Sequence, residues 1–214
     1  MRGAGQGDAR IGPNAITQTI TILDRHVGRV FRDQVMDMAS VAVPPPDAGM
    51  LPEADCAAVH RAVRLLLPDR AEALLRLSGL ATGDYILRHR IPGLVQSLLR
   101  LLPGPLAAPV LAGAISRHAW TFAGSGAFGV VSRHPLTFEL CANPLIAGEH
   151  ADHPMCHWHA AVFERLFARL VWPDVRVTEV SCAATGAASC RFCVLPRGRS
   201  TQDLALHHGN TMLG

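Results

Sequence analysis

Between Cys156 and Cys193, side chains able to bind a metal recur at short intervals around a tight turn, and this stretch limits the fold more than any other. His157 to Leu170 reads as a helix. Arg176 to Ala183 and Ser189 to Leu195 read as strands, joined through a Thr185-Gly186 turn. Cys182 and Cys190 then stand on the two legs of a β-hairpin, where cross-strand residues lie within a few ångströms of each other. Cys156 at the start of the helix and Glu179 on the first strand can complete a four-donor shell. Zinc takes sulfur, nitrogen and carboxylate ligands of this kind, and structural zinc sites leave no position open.

Two other readings of these residues stay open on spacing alone. Free cysteines are commonly small buried hydrophobes. Cys190-x2-Cys193 has the spacing of a zinc knuckle, but residues three apart on a strand face opposite sides, so that pair needs a bulge. The same objection applies to Glu179 and Cys182.

The pattern Cys-x22-Glu-x2-Cys-x7-Cys, followed by an aromatic strand, resembles the vinyl-4-reductase domain. That family includes the sensor domains of phenol-responsive bacterial transcription activators, in which a Cys, Glu, Cys, Cys set binds zinc. The resemblance implies Cys156, Glu179, Cys182 and Cys190 as ligands of a structural zinc, with Cys193 outside the set. From Asn14 onward the chain further resembles the bacteriochlorophyll 4-vinyl reductase (BchJ) family of purple phototrophic bacteria. The zinc motif belongs to the domain as a whole and does not separate a pigment protein from a phenol sensor.

A chain of 214 residues, 49% hydrophobic, is long enough for one domain with a full core. The net charge of +3 is too small to imply a nucleic-acid partner, and every basic residue other than histidine is arginine. Six cysteines and no apolar leader predict a reducing, cytoplasmic setting. The most apolar region, Ile91 to Ile115, is broken by Arg100 and by Pro103, Pro105 and Pro109, which makes it a poor membrane span.

In chain order, residues 1–13 form a Gly-rich, disordered start. Asn14 is a candidate cap for a helix reaching about Met38, with Ile16, Ile20, Leu23, Val27, Val30 and Phe31 on one face. Pro44 to Pro46 mark a loop. Helices follow from about Pro52 to Leu67 and from Pro68 through Leu80, the latter continued or restarted over Tyr85 to Arg90. Gly79 and Gly83, one turn apart, open a groove for close helix packing. Two short helices, Leu94–Leu102 and Leu106–His118, come next. From Trp120 the pattern turns to alternation: Trp120 to Ala123, Gly126 to Ser132 and Leu136 to Ala142 read as two antiparallel strands with a His134-Pro135 turn. The expected fold is α+β: a four-stranded antiparallel sheet covered by helices, with a mostly helical N-terminal half. One domain spans 14–196, with a helical part over 14–118 and a sheet and zinc-site part over 119–196. Residues 197–214 read as a flexible tail. The family resemblance implies the same architecture, shared with ligand-binding domains of nitric-oxide signalling and Golgi transport.

Gly124-Ser-Gly126-Ala-Phe-Gly129 matches the dinucleotide fingerprint, but Pro135 leaves no room for the helix that the fingerprint needs. A Gly-rich strand with a bulge or a close backbone approach fits better. Asp84, Tyr85 and His89 lie at helical spacing and read as a solvated face rather than an acid–base group. The proline-broken apolar helices of residues 91–115 read as core, as the wall of a ligand cavity, or as a surface that rests on a membrane or a partner enzyme.

The resemblance implies either an enzyme that reduces the vinyl group of a (divinyl) protochlorophyllide, or a non-catalytic carrier of a tetrapyrrole intermediate. Vinyl reduction needs a hydride or electron donor, and no credible donor site stands in the sequence. Zinc does no redox chemistry. The expected function is therefore a carrier or accessory factor of bacteriochlorophyll synthesis with a structural zinc. Arg88, Arg90, Arg100 and Arg117 are the candidates for a pigment carboxylate, and His150, His153 and His157 for an axial magnesium ligand. Enzymes of the same synthesis, a peripheral membrane contact and a homodimer are the further partners that this reading admits.

Overall fold

A computed structural model describes residues 9–196. The tail expected over 197–214 lies outside them, as do residues 1–8. Within the expected disordered start, Arg10–Ile11 (β1) pairs antiparallel with Leu51–Pro52 (β2), and Ile11 is fully buried. The first helix stops earlier than its periodicity suggests. Helix α1 covers Asn14–His26 and α2 covers Arg29–Ala39. Gly28 breaks them apart at φ 86°, a conformation that strains any residue with a side chain. Asn14 is the first helical residue and makes no cap; the cap position belongs to Pro13.

Helix α3, Glu53–Leu66, and helix α4, Pro68–His89, follow with only Leu67 between them. Helix α4 runs unbroken through Gly79 and Gly83. Each glycine is worth about 1 kcal/mol less than alanine in a helix interior, so packing has to offset them. It does. A Cβ on Gly79 would sit 2.3 Å from the Trp158 carbonyl oxygen and 2.8 Å from the Ala161 Cβ. One on Gly83 would sit 2.6 Å from the Arg165 Cβ. These partners lie on helix α8, His157–Leu170. Polar pairs fix the same region: Thr19 and Ser78 hydroxyls meet at 2.6 Å between α1 and α4. Glu164 of α8 is paired with Arg76.

Helices α5, Gly93–Leu101, and α6, Gly104–Arg117, form a short apolar hairpin. Trp120–Ala123, expected to be extended, is a one-turn helix, α7. Four strands then build one antiparallel sheet: β3, Ala127–Arg133; β4, Leu136–Cys141; β5, Val175–Ser181; and β6, Cys190–Pro196. Their order is β3-β4-β6-β5. Along β4 burial alternates strictly, and Phe138 and Leu140 point inward with Phe192 of β6. Against that face α8 sets Phe163 and Phe167, with ring centroids 5.1 Å apart for Phe138–Phe163 and 5.4 Å for Phe163–Phe192. Helix α8 is thus packed on both sides, by the sheet and by α4. The run Gly124 to Gly129 leads into β3 and its hairpin. A Cβ at Gly126 would meet the Cys141 carbonyl oxygen at 2.5 Å, the close backbone approach expected there.

Gly79→Ala should force α4 away from the α8 main chain and destabilise the protein by about 1–3 kcal/mol in denaturant unfolding. Gly113→Ala on α6 meets nothing within 4 Å and should be neutral or stabilising by up to about 1 kcal/mol.

Two buried imidazoles set the acid limit. Burial pushes His60 and His159 each down to about 3. His60 Nε2 sits 3.0 Å from the Ala15 carbonyl oxygen and ties α3 to α1. Their folded values lie below the ordinary histidine value of 6.5, so the unfolded chain takes up protons first as pH falls. The stability is complete above that value and should fall by about 1.4 kcal/mol per pH unit for each histidine below it, down towards the folded values. Unfolding free energies measured from pH 7 downward check this, and His60→Gln should remove one histidine's share of the slope.

Candidate metal centre and ligand cleft

Three elements bring the cysteine–glutamate set together. Cys156 immediately precedes α8, Glu179 lies on β5, and Cys182 and Cys190 flank the β5–β6 connection. The geometric objection to Glu179 and Cys182 is removed by a bulge. Glu179 stands opposite Phe192 and Ser181 opposite Arg191, so Val180 is an extra residue that resets the alternation. The four ligand atoms lie within 4.8 Å of one another. Cys156 Sγ is 3.5 Å from Cys190 Sγ and 3.9 Å from Cys182 Sγ. Thiolates at about 2.3 Å from a tetrahedral ion would stand about 3.8 Å apart, whereas a disulfide needs about 2.05 Å. All six cysteines are free.

Burial and hydrogen bonding set the protonation of the cluster. Glu179 Oε2 accepts the Cys156 N–H at 2.7 Å, while Oε1 is buried with no hydrogen-bond partner. Burial raises this carboxyl to about 7. Cys182 is held far below the ordinary thiol range by hydrogen bonds from Cys156, then Cys190. Cys156 is pushed well up by donating to Cys182 and Cys190 and by burial. Cys190 is drawn down by Cys156, but its bond to Cys182 and its burial outweigh this and leave it at about 12. Hydrogen bonding and burial thus favour the thiolate form at Cys182 and the thiol form at Cys156 and Cys190. A divalent metal would displace the thiol protons.

Asn143 adjoins the cluster, and no signal in the sequence points to it. Its Nδ2 donates to Cys156 Sγ at 3.2 Å and lies 3.8 Å from Cys190 Sγ. The Ala183 N–H donates to Cys190 Sγ at 3.5 Å. Cys193 stands apart from the cluster and pairs with Thr137 and Thr178 across the sheet.

At the far end of β6 lies a cleft of about 790 Å³. One wall is α6, through Pro105, Ala108, Pro109, Ala112 and Gly113, spaced along one helix face. No side chain on that wall is larger than proline, which is why space remains against the sheet. The β3–β4 hairpin supplies the opposite wall, with Arg133 and His134 both exposed. Trp172 and the end of β6 close the remainder.

None of the candidate pigment ligands named from the sequence lines this cleft. His150 is exposed, His153 pairs with Asp152, and His157 stands 3.8 Å from Glu72. Arg88 Nε donates to the Asp84 carbonyl and Arg100 Nε to that of Arg169. Arg90 and Arg117 are exposed at the ends of α4 and α6. Arg133 and His134 escape sequence reasoning because the segment they form reads only as a turn. The usable signal is a run of small residues at helical spacing beside a basic hairpin.

The family model of the vinyl-4-reductase domain matches residues 136–196. Over 203 residues, covering 94% of this chain and 95% of its relative, the sequence is 59% identical to the bacteriochlorophyll synthase 23 kDa chain of Rhodobacter capsulatus. It is 57% identical over 190 residues to the protein of that name from Cereibacter sphaeroides, covering 89% of this chain and 92% of the relative. The Fe(II) unliganded H-NOX protein from K. algicida shares the fold at 10% identity, with a TM-score of 0.60, covering 88% of this chain and 98% of that one.

Proposed function

The chain belongs to the family of the bacteriochlorophyll synthase 23 kDa chains, and from that premise we propose that it serves bacteriochlorophyll synthesis by holding a tetrapyrrole intermediate without transforming it. The observation that carries the reading is the cleft between α6 and the β3–β4 hairpin. Its volume of about 790 Å³ falls in the range of small-molecule sites. A tetrapyrrole is flat and apolar with carboxylates on one edge. The small-residue wall of α6 suits the flat face. Arg133 offers a forked, charge-assisted contact to a carboxylate. His134 offers an imidazole to a chelated magnesium.

The same reading gives the cysteine cluster a structural zinc held by Cys156, Glu179, Cys182 and Cys190. Three thiolates and a carboxylate suit zinc by donor type, and the partnerless Glu179 Oε1 is the atom that a cation would satisfy. Bound there, zinc supplies no redox chemistry; it ties the start of α8 to the β5–β6 connection.

Metal analysis of the purified protein should find one zinc per chain. Cys182→Ser should lose it and destabilise the fold, because metal binding is part of the folding free energy. Cys193→Ser should keep the metal. A metal-free protein, or one whose zinc and melting temperature survive Cys182→Ser, would overturn the assignment.

For the pigment, titration with magnesium and metal-free precursors should give a red-shifted, sharpened Soret band that saturates. Gly113→Trp fills the cleft from a position with open space and should abolish the shift with the melting temperature unchanged. Arg133→Gln should weaken binding about tenfold, the loss expected of one charge-assisted hydrogen bond. The recovered pigment should retain its vinyl group with NADPH present. Catalytic loss of that group by the purified protein and NADPH would replace the carrier by an enzyme.

A further inference from the structure

Helix α5 shows its leucines to solvent. Leu94 is 87% exposed, Leu98 60% and Leu101 82%, at the i, i+4, i+7 spacing of a single stripe. Leu99 on the other side is buried. The next helix, α6, adds Leu106 and Val110, both more than half exposed, one turn apart. Scattered surface leucines need no explanation, but an apolar stripe on two consecutive, touching helices does.

The charge pattern around the stripe narrows the kinds of surface that suit it. No aspartate or glutamate occurs between Asp84 and Glu139, a stretch that includes both helices. Five arginines fall within it, enough to account for more than the whole net charge of +3. Arg88, Arg90, Arg100 and Arg117 are all exposed, close before α5 or near the ends of the two helices. Helices with leucines on one face and arginines as their sole charged side chains suit the interface of a bilayer that carries negative headgroups. A protein partner or a second copy of this chain would not require that acidic residues be excluded so completely. Among the described residues no helix is long and apolar enough to cross a membrane, so the contact lies along the surface.

We propose that the exposed faces of α5 and α6 seat this protein on an anionic lipid surface. The inference stands whether or not the cleft holds a pigment. It is tested by co-sedimentation of the full chain with vesicles of phosphatidylcholine alone and of phosphatidylcholine mixed with an equal amount of phosphatidylglycerol. Binding to the mixed vesicles should be at least about tenfold tighter, from several arginines near a charged surface, and should weaken as salt is raised. Leu94→Glu/Leu98→Glu should lose the binding while keeping the wild-type unfolding transition, because both side chains are exposed. Arg88→Gln/Arg90→Gln should bind the mixed vesicles more weakly and with less dependence on salt. Leu65→Glu, an exposed leucine of α3, should bind as the wild type does. Failure of the wild type to bind mixed vesicles at low salt overturns the proposal, as does equal binding by the Leu94→Glu/Leu98→Glu variant. So does a dimer in light scattering that this variant converts to monomers, since the faces would then cover each other.

Discussion

A backbone carbonyl of α8 occupies the space in which a side chain at residue 79 would lie. The rest of the molecule depends on that contact. Gly79 and Gly83 let α4 approach α8 more closely than any larger residue allows. Helix α8 carries the aromatic face of the sheet on its other side. One helix is therefore the shared wall of two layers, and its start places Cys156 at the cysteine cluster. Glu164, near its middle, accepts the Val177 N–H of β5 while pairing with Arg76 of α4. A shift of α8 would disturb the helical half, the sheet and the cluster together.

What can be read from the sequence follows physical range. The helix His157–Leu170 is legible to the residue because apolar periodicity and the cysteine before it agree. The two strands of the final hairpin are legible within a residue or two, since β-branched residues and a Thr-Gly turn mark them locally. Glu179 and Cys182 look incompatible on one strand because a bulge at Val180 leaves no mark in period-2 reasoning. The break at Gly28 is hidden for a similar reason: the apolar face runs on past it, so periodicity alone cannot see the turn. Trp120–Ala123 has the composition of a strand and forms a helical turn, where tertiary context overrides propensity. Strand β1 and the residue Asn143 are invisible because each acts through a partner distant in sequence, Leu51–Pro52 for one and the cysteine sulfurs for the other.

Helix α6 divides its circumference among three surroundings. Leu111 and Ile115 enter the core, small residues border the cleft, and Leu106 with Val110 face outward. Proline and glycine make that division workable, since Pro105, Pro109 and Gly113 keep the cleft wall low without exposing long side chains. The low wall also accounts for why the volume lies on this side of the sheet and at the end of β6 away from the cysteines. Strand β6 connects the two regions: Cys190 begins it, and Val194 to Pro196 border the cleft.

The strand order has a consequence for how the chain is made. Strand β6, the last of the described elements in sequence, lies between β4 and β5 in the interior of the sheet. Until it emerges during synthesis, β4 and β5 each keep an edge of unpaired N–H and C=O groups, the type of surface on which chains pair with one another by mistake. A chain that stopped short of Cys190 would lose the middle of its sheet rather than a margin. Cys156, Glu179 and Cys182 would all have been made, as would the aromatic face of α8, with nothing to hold them in register.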